Sequence, residues 1–397
     1  MVVQLRAGVK LHSLAAVEAN VTMETLVKAV QPLHLTPTVV AESKSTTVAD
    51  AFAATTNASS SSRYGTFDCT VMTAGVVLGN GHFVSSSIND PDRGELLQRS
   101  AGAFHSLGIT TMLEIALVKA GPYVEVTYTP VSSISEMVKR IVVAASQSAE
   151  LESSIDFVEG ILLDRCKGMI VTGRRVLNAH RKLSQALATG KDFTEHVRSI
   201  CRRHRGSSEL VVELYPVDQY LFRHDQRRSV QQVRNKRFSW PASKHALDTA
   251  AKGAAKFLDF AVSRSSAEEI VTLLTAEYNS WPIWICPVMS PKCFGRSETF
   301  SLEPAASELL LNIGMWDSAS VRDGSIDVRL HHKDSFRYLR SRAPCSPETL
   351  WFDHDDRRYA WLRSQWKADT FASIADRLQM PNPFQCADTF RRHTWAS

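Results

Sequence analysis

Long apolar runs are missing from this 397-residue chain. A membrane-spanning helix needs about 18 or more consecutive apolar residues, and segments such as "VKRIVVAA" and "SWPIWICPV" have only the length of core elements. The N-terminus lacks the basic-then-apolar layout and small-residue cleavage site of a secretory signal. It is free of acidic residues as far as Val17 and holds Arg6 and Lys10, a weak echo of an organellar presequence that two basic residues do not establish. Cysteine is sparse: Cys69, Cys166, Cys201, Cys286, Cys293, Cys345 and Cys386 lie scattered, odd in number and without a C-x-x-C pair. That spacing excludes a disulfide framework and the usual zinc modules, and it fits free thiols in a reducing compartment.

Catalytic signatures are equally scarce. No G-x-x-x-x-G-K-[ST] is present, which disfavours a P-loop nucleotidase. Gly79-Asn80-Gly81 lacks the third glycine of a dinucleotide fingerprint and sits between two strand-like runs. Ser364-Gln365-Trp366-Lys367 matches S-x-x-K, but neither K-T-G nor S-D-N accompanies it, and G-x-S-x-G is absent. From the residues alone, no catalytic residue, metal site or cofactor is assigned.

What is present is a globular composition and a sharp charge asymmetry. The chain is 44% hydrophobic and 22% charged, enough to bury one large core or several ordinary ones. Residues 1–164 hold 10 Lys+Arg against 16 Asp+Glu, residues 165–237 hold 17 against 6, and residues 238–397 hold 19 of each. A net charge of +5 therefore hides a strongly basic middle in which Arg outnumbers Lys by 13 to 4.

The patterning predicts an α+β fold: a strand-rich N-terminal part, a helical middle, and a mixed, mainly helical C-terminal part. Three regions are expected. Residues 1–131 are strand-rich, with "FDCTVMTAGVVLGNGHFVSSSI" and "TTMLEIALVKAGPYVEVTYTPV" as alternating segments around Gly79-Asn80-Gly81 and Gly121-Pro122, and a Ser/Thr/Ala-rich loop at 43–65. Residues 132–240 form a basic helical region. It opens with Ser133 and Glu136 in capping-box spacing and continues with helices near 150–166, 174–190 and 192–206 and a strand "ELVVELYP". Residues 241–397 are mixed. Helices are expected at 244–264, across "SAEEIVTLLTAEY" and twice within 353–379, with an irregular, proline-interrupted stretch at 281–304.

On the expected helices the basic residues recur on faces opposite the apolar stripes. Arg174, Arg175, Arg181 and Lys182 belong to one segment, and Arg198, Arg202, Arg203 and Arg205 to the next. Arg223, Arg227, Arg228, Arg234, Lys236 and Arg237 follow in "FRHDQRRSVQQVRNKR". Like charges at i, i+4 destabilise a helix by a few tenths of a kcal/mol each, so a compensating anion is implied. The forked guanidinium favours phosphate or carboxylate. Flanking aromatics are few, and no RNP, zinc-finger or GXXG pattern is present, which favours backbone contact over base readout. A solvated face, paired in part with acids of the same chain, is the ordinary reading of such a run. In the tail, Trp351, Trp361, Trp366 and Trp395 alternate with arginines and suit a protein interface.

These features together predict a non-enzymatic architectural or adaptor protein of a nucleoprotein assembly, a virion or ribonucleoprotein component. Its Arg-rich centre would contact RNA in preference to DNA, or an acidic protein surface, in the cytoplasm or within a particle and not after secretion. Two alternatives stay open. One is an enzyme acting on nucleic acid or a phosphorylated substrate through His331, His332, Asp334, Asp353, His354, Asp355 and Asp356. The other is a scaffold that self-associates by charge complementarity.

Overall fold

The Gly79-Asn80-Gly81 signal folds as its residues predict. β4 (Val71–Val77) and β5 (Phe83–Ser87) form an antiparallel hairpin around it. The computed structural model describes residues 3–7, 13–150, 153–187, 192–203, 210–225, 258–290, 309–315, 335–337 and 356–379. β4 and β5 belong to a six-stranded antiparallel sheet with β1 (Val3–Ala7), β2 (Ser13–Glu18), β3 (Leu35–Pro37) and β6 (Ile109–Lys119). The expected partner of β6 does not join it. After Gly121-Pro122 the chain enters β7 (Tyr123–Val131), which lies in a second sheet. The coarse class, α+β with antiparallel sheets, is what the structure shows.

The second sheet has eight strands in the order β10-β7-β9-β8-β12-β13-β11-β14. They are β8 (Phe157–Asp164), β9 (Lys167–Val176), β10 (Val211–Pro216), β11 (Leu258–Ser263), β12 (Ile283–Met289), β13 (Leu309–Met315) and β14 (Ser335–Arg337), besides β7. Several expectations for the middle of the chain are corrected here. The segments expected as helices at 150–166 and 174–190 are β8, the end of β9 and an irregular passage that runs beside β10. In β8 seven of eight residues are buried, on both faces. Such a continuous apolar run has no period of two to separate it from a helix. The helix expected over 244–264 falls outside the described residues as far as 257, and its end is β11. The proline-bearing stretch at 281–304 contains β12, a central strand. Pairing with β8 covers only Ile283–Ile285, so Pro287 lies where one edge of the strand is already unpaired.

The helices α5 (Ile134–Ala149) and α8 (Ala267–Tyr278) cover one face of the large sheet. They pack on Val158, Leu162, Phe260, Val262, Ile283, Ile285, Leu311 and Ile313. α5 starts as predicted, with the Ser133 hydroxyl accepting from Glu136 N. The opposite face carries Phe157, Ile161, Trp284 and Cys286 and shares one core with the small sheet. Strand alternation puts Glu159 on that face too.

The expected loop at 43–65 is the largest surprise. It holds two short helices, α2 (Val48–Ala53) and α3 (Ser61–Tyr64), and residues Ser59–Ser62 are fully buried. Val158 N donates to Ser59 O at 2.7 Å, Ser60 Oγ to Thr38 O at 2.8 Å, and Cys286 Sγ to Ala58 O at 3.1 Å. The segment wedges between β8 and β12 where their pairing ends. Small side chains allow this close approach, and composition alone cannot tell it from a linker. Two C-terminal helices, Asp356–Gln365 and Ile374–Gln379, seat Tyr359, Leu362 and Ile374 on Ala103 and Leu107. Among the described residues no helix is long and apolar enough to cross a membrane.

Candidate functional site

Glu159 stands alone as a charge in the buried run "FVEGILL", with no solvent exposure. Its carboxylate is saturated by three donor residues from two parts of the chain. Oε1 accepts from Arg223 Nε at 2.9 Å. Oε2 meets Arg223 Nη2 at 2.9 Å, His224 Nε2 at 3.0 Å and Trp284 Nε1 at 2.8 Å. Arg223 and His224 reach it from the turn after α7 (Val217–Leu221), and both are buried. Arg223 also donates to Tyr220 O and Ser59 Oγ at 2.9 Å each. Its guanidinium lies 4.2 Å from the Tyr220 ring centroid, and Phe193, at the start of α6 (Phe193–Arg203), meets the His224 ring edge-on at 5.3 Å.

The electrostatics follow from this packing. Burial pushes the Glu159 carboxyl up, but the Arg223 and His224 charges outweigh it and hold the group well below the usual carboxylate range. Arg223 is raised: burial opposes its charge, and Glu159 more than restores it. Burial, with Glu42 and Glu159 nearby, pushes the Cys286 thiol far up. Burial likewise raises Tyr220.

Glu42, from the loop after β3, completes the cluster. One carboxylate atom each of Glu42 and Glu159 and a ring nitrogen of His224 lie within 4.8 Å of one another, all buried. Two carboxylates and an imidazole are metal-ligand types, but Arg223 already holds both Glu159 oxygens. The set is a buried ion-pair cluster.

A second, partly buried chain lies under α6. His196 Nε2 pairs with Glu213 Oε2 at 2.7 Å, the Tyr215 hydroxyl donates to the same carboxylate, and Tyr128 and Tyr215 hydroxyls are 3.1 Å apart. It anchors α6 to β10 and β7.

The described members of the predicted basic set lie on β9, the passage after it, α6 and the turn after α7. Arg174 pairs with Glu125 at 2.7 Å, and Arg181 and His180 meet the same carboxylate. Arg175 pairs with Asp156 at 2.7 Å. Arg198 and Arg202 both lie on Glu195, at 3.1 and 3.9 Å, and Arg203 points back to Ser199 O. Lys182 is exposed. Arg223 is interior. Arg205, Arg227, Arg228, Arg234, Lys236 and Arg237 lie outside the described residues, as do His331, His332, Asp334 and Asp353–Asp355. Of the tail tryptophans, Trp361 is exposed beneath Arg358, Trp366 packs beside Leu362, and Trp351 and Trp395 lie outside the described residues.

Sequence reading missed Glu42, Ser59, Glu159, His224, Trp284 and Cys286. One signal was available: a lone acid in an otherwise apolar strand-length run needs a buried partner.

No protein-family model matches the chain. Among curated proteins it is similar to Delta(24)-sterol reductases. It is 27% identical over 218 residues to that of Arabidopsis thaliana, covering 53% of this chain and 38% of that protein. It is 23% identical over 365 residues to the Delta(24)-sterol reductase homolog dhcr-24 of Caenorhabditis elegans, covering 81% and 66%. Against the Rattus norvegicus enzyme the identity is 22% over 396 residues, covering 91% and 73%. The chain thus spans 38% and 66% of the first two relatives' own lengths. Similarity to enzymes over most of the chain corrects the architectural reading: the nucleoprotein and virion role, the nucleic-acid or acidic-protein partner and the charge-driven scaffold are withdrawn. In the structure Arg174, Arg175, Arg198, Arg202 and Arg223 face carboxylates of the same fold.

Proposed function

We propose that the chain is a reductase, or the larger part of one, that saturates a carbon–carbon double bond in a flat, apolar, sterol-like substrate. The observation that carries this reading is similarity to Delta(24)-sterol reductases over 91% of the chain. The buried Glu159–Arg223–His224–Trp284 cluster lies in the core that the two sheets share and braces it.

Saturating an alkene adds a hydride to one carbon and a proton to the other. No side chain gives up a hydride, so a redox cofactor of the flavin or nicotinamide class supplies it when bound. The buried cluster does not itself fit such a ring: Trp284 donates to Glu159, Arg223 donates to Glu159 and Ser59, and Phe193 and Tyr220 are packed against Arg223.

The test is incubation of the full chain with a Δ24-unsaturated sterol and reduced flavin or nicotinamide, with the product read by mass spectrometry. A gain of two hydrogens is expected. Trp284→Phe keeps the ring but removes a hydrogen bond to a buried carboxylate, and should slow turnover by about tenfold. A folded chain that reduces no apolar alkene would overturn the reading.

A further inference from the structure

We propose that a cleft at the crossing between the two sheets binds a small carboxylate with an apolar body. The proposal is independent of the reductase reading and uses no member of the buried charge cluster. The cleft has a volume of about 350 Å³. It lies where β6 ends and β7 begins, so its walls come from both sides of that link. Ala120 and Pro122 of the link, Val27 of α1 (Met23–Val30), Leu35 of β3 and Val217 of α7 make those walls apolar. Small-molecule sites have this size and this lining, with a few polar groups that fix the ligand's orientation.

The polar groups decide what enters. Lys28, Gln31, His34 and Thr36 line the cleft, and among the described residues no acid does. Thr36 is 2% exposed, and its Oγ1 is buried with no hydrogen-bond partner among the described residues. A hydroxyl kept so in the interior is costly, and a ligand oxygen in the cleft would satisfy it. Lys28 supplies the charge. Its ammonium rests on Glu24 at 2.9 Å with 67% of the side chain exposed, a pair that solvent screens. Glu24 also has Lys44 at 3.8 Å, so Lys28 can turn to a ligand without leaving that acid alone.

The backbone holds this rim against the link. His34 has a left-handed φ of 55°, its amide donates to Gln31 O, and its carbonyl accepts from Ala120 N, each at 2.9 Å. One ammonium, neutral donors and no acid select an anion. The absence of a guanidinium fork among the lining residues matches a singly charged carboxylate better than a phosphate. The apolar walls select a carboxylate with a hydrocarbon body.

The experiment titrates octanoate into the full chain by calorimetry, with octanol as the uncharged control. Saturable one-to-one binding with Kd below about 1 mM is expected, and the thermal midpoint should rise with octanoate concentration. Octanol should bind at least about fivefold more weakly. Thr36→Val keeps the shape of the side chain and removes the unpaired hydroxyl. It should weaken octanoate about tenfold, while the free chain keeps or raises its thermal midpoint because no internal bond is lost. Lys28→Met should weaken octanoate about two- to fivefold and leave octanol unchanged. Gln31→Trp, at a half-buried position on the rim, should block both ligands. No saturable binding below about 10 mM, several weak sites in place of one, or equal affinity for octanoate and octanol overturns the proposal. Undiminished octanoate binding in Thr36→Val overturns it as well. So does a lowered midpoint or failure to fold in that variant, since the hydroxyl would then have a partner within the fold. If Gln31→Trp does not fold, unchanged octanoate binding in Lys28→Met overturns the proposal instead.

Discussion

Glu159 shows at the scale of one residue how the interior is held. Its charge is tolerable because Arg223, His224 and Trp284 converge on it from sequence positions 64, 65 and 125 residues away. Removing one partner of a buried pair leaves the other charge uncompensated, which costs about 3–5 kcal/mol. Glu159→Gln should lose that much in urea unfolding near neutral pH. The pH dependence has a definite sign. The folded carboxyl is depressed, so the unfolded chain binds more protons in acid. The pair's contribution is whole above the ordinary glutamate value of about 4.3 and is lost as pH falls from there through the lowered folded value. Unfolding free energy measured across that range should fall steeply in the native chain and more shallowly in Glu159→Gln. Equal slopes would show that Glu159 is not the linked group.

At the scale of elements, close approach of backbones decides more than propensity. A Cβ on Gly121, in the link from β6 to β7, would sit 2.1 Å from Val176 O and 2.5 Å from Val176 C. Both are main-chain atoms of β9 and cannot swing away. A Cβ on Gly160 would meet Met137 Sδ at 2.6 Å, the far part of a flexible side chain. Gly121→Ala should therefore cost more than about 2 kcal/mol and Gly160→Ala about 1 kcal/mol or less. Thermal midpoints of the two variants check the order, and the reverse order would misplace the β6–β7 crossing. The sequence made the cap and turn legible: Ser133 before α5, and the turn between β4 and β5. It did not make β8 legible as a strand, because burial on both faces erases the alternation. The wedge at Ala58–Ser62 was hidden for a related reason, since serine and alanine serve equally in exposed linkers and in tight interior contacts.

At the scale of the whole molecule, one core joins the two sheets. Ala15 and Ile115 of the first, with Leu26 and Phe52 of the helices beside it, share a cluster with Tyr128, Phe157, Tyr215 and Trp284 of the second. The sheets should then unfold together. Far-ultraviolet circular dichroism and tryptophan fluorescence are expected to give coincident urea transitions, and two separated transitions would show that the junction contributes little. The sequence by itself determined the local content: strands where two faces differ in polarity, helices where capping residues precede an apolar stripe, and a chain large enough to bury charges. It also revealed the crowding of arginine between residues 165 and 237, but not its meaning. Tertiary structure decided the partners of three of these arginines, by bringing Glu125, Asp156 and Glu159 from distant positions against Arg174, Arg175 and Arg223. Coulomb energy depends on separation in space, which long-range strand pairing sets and spacing along the chain does not.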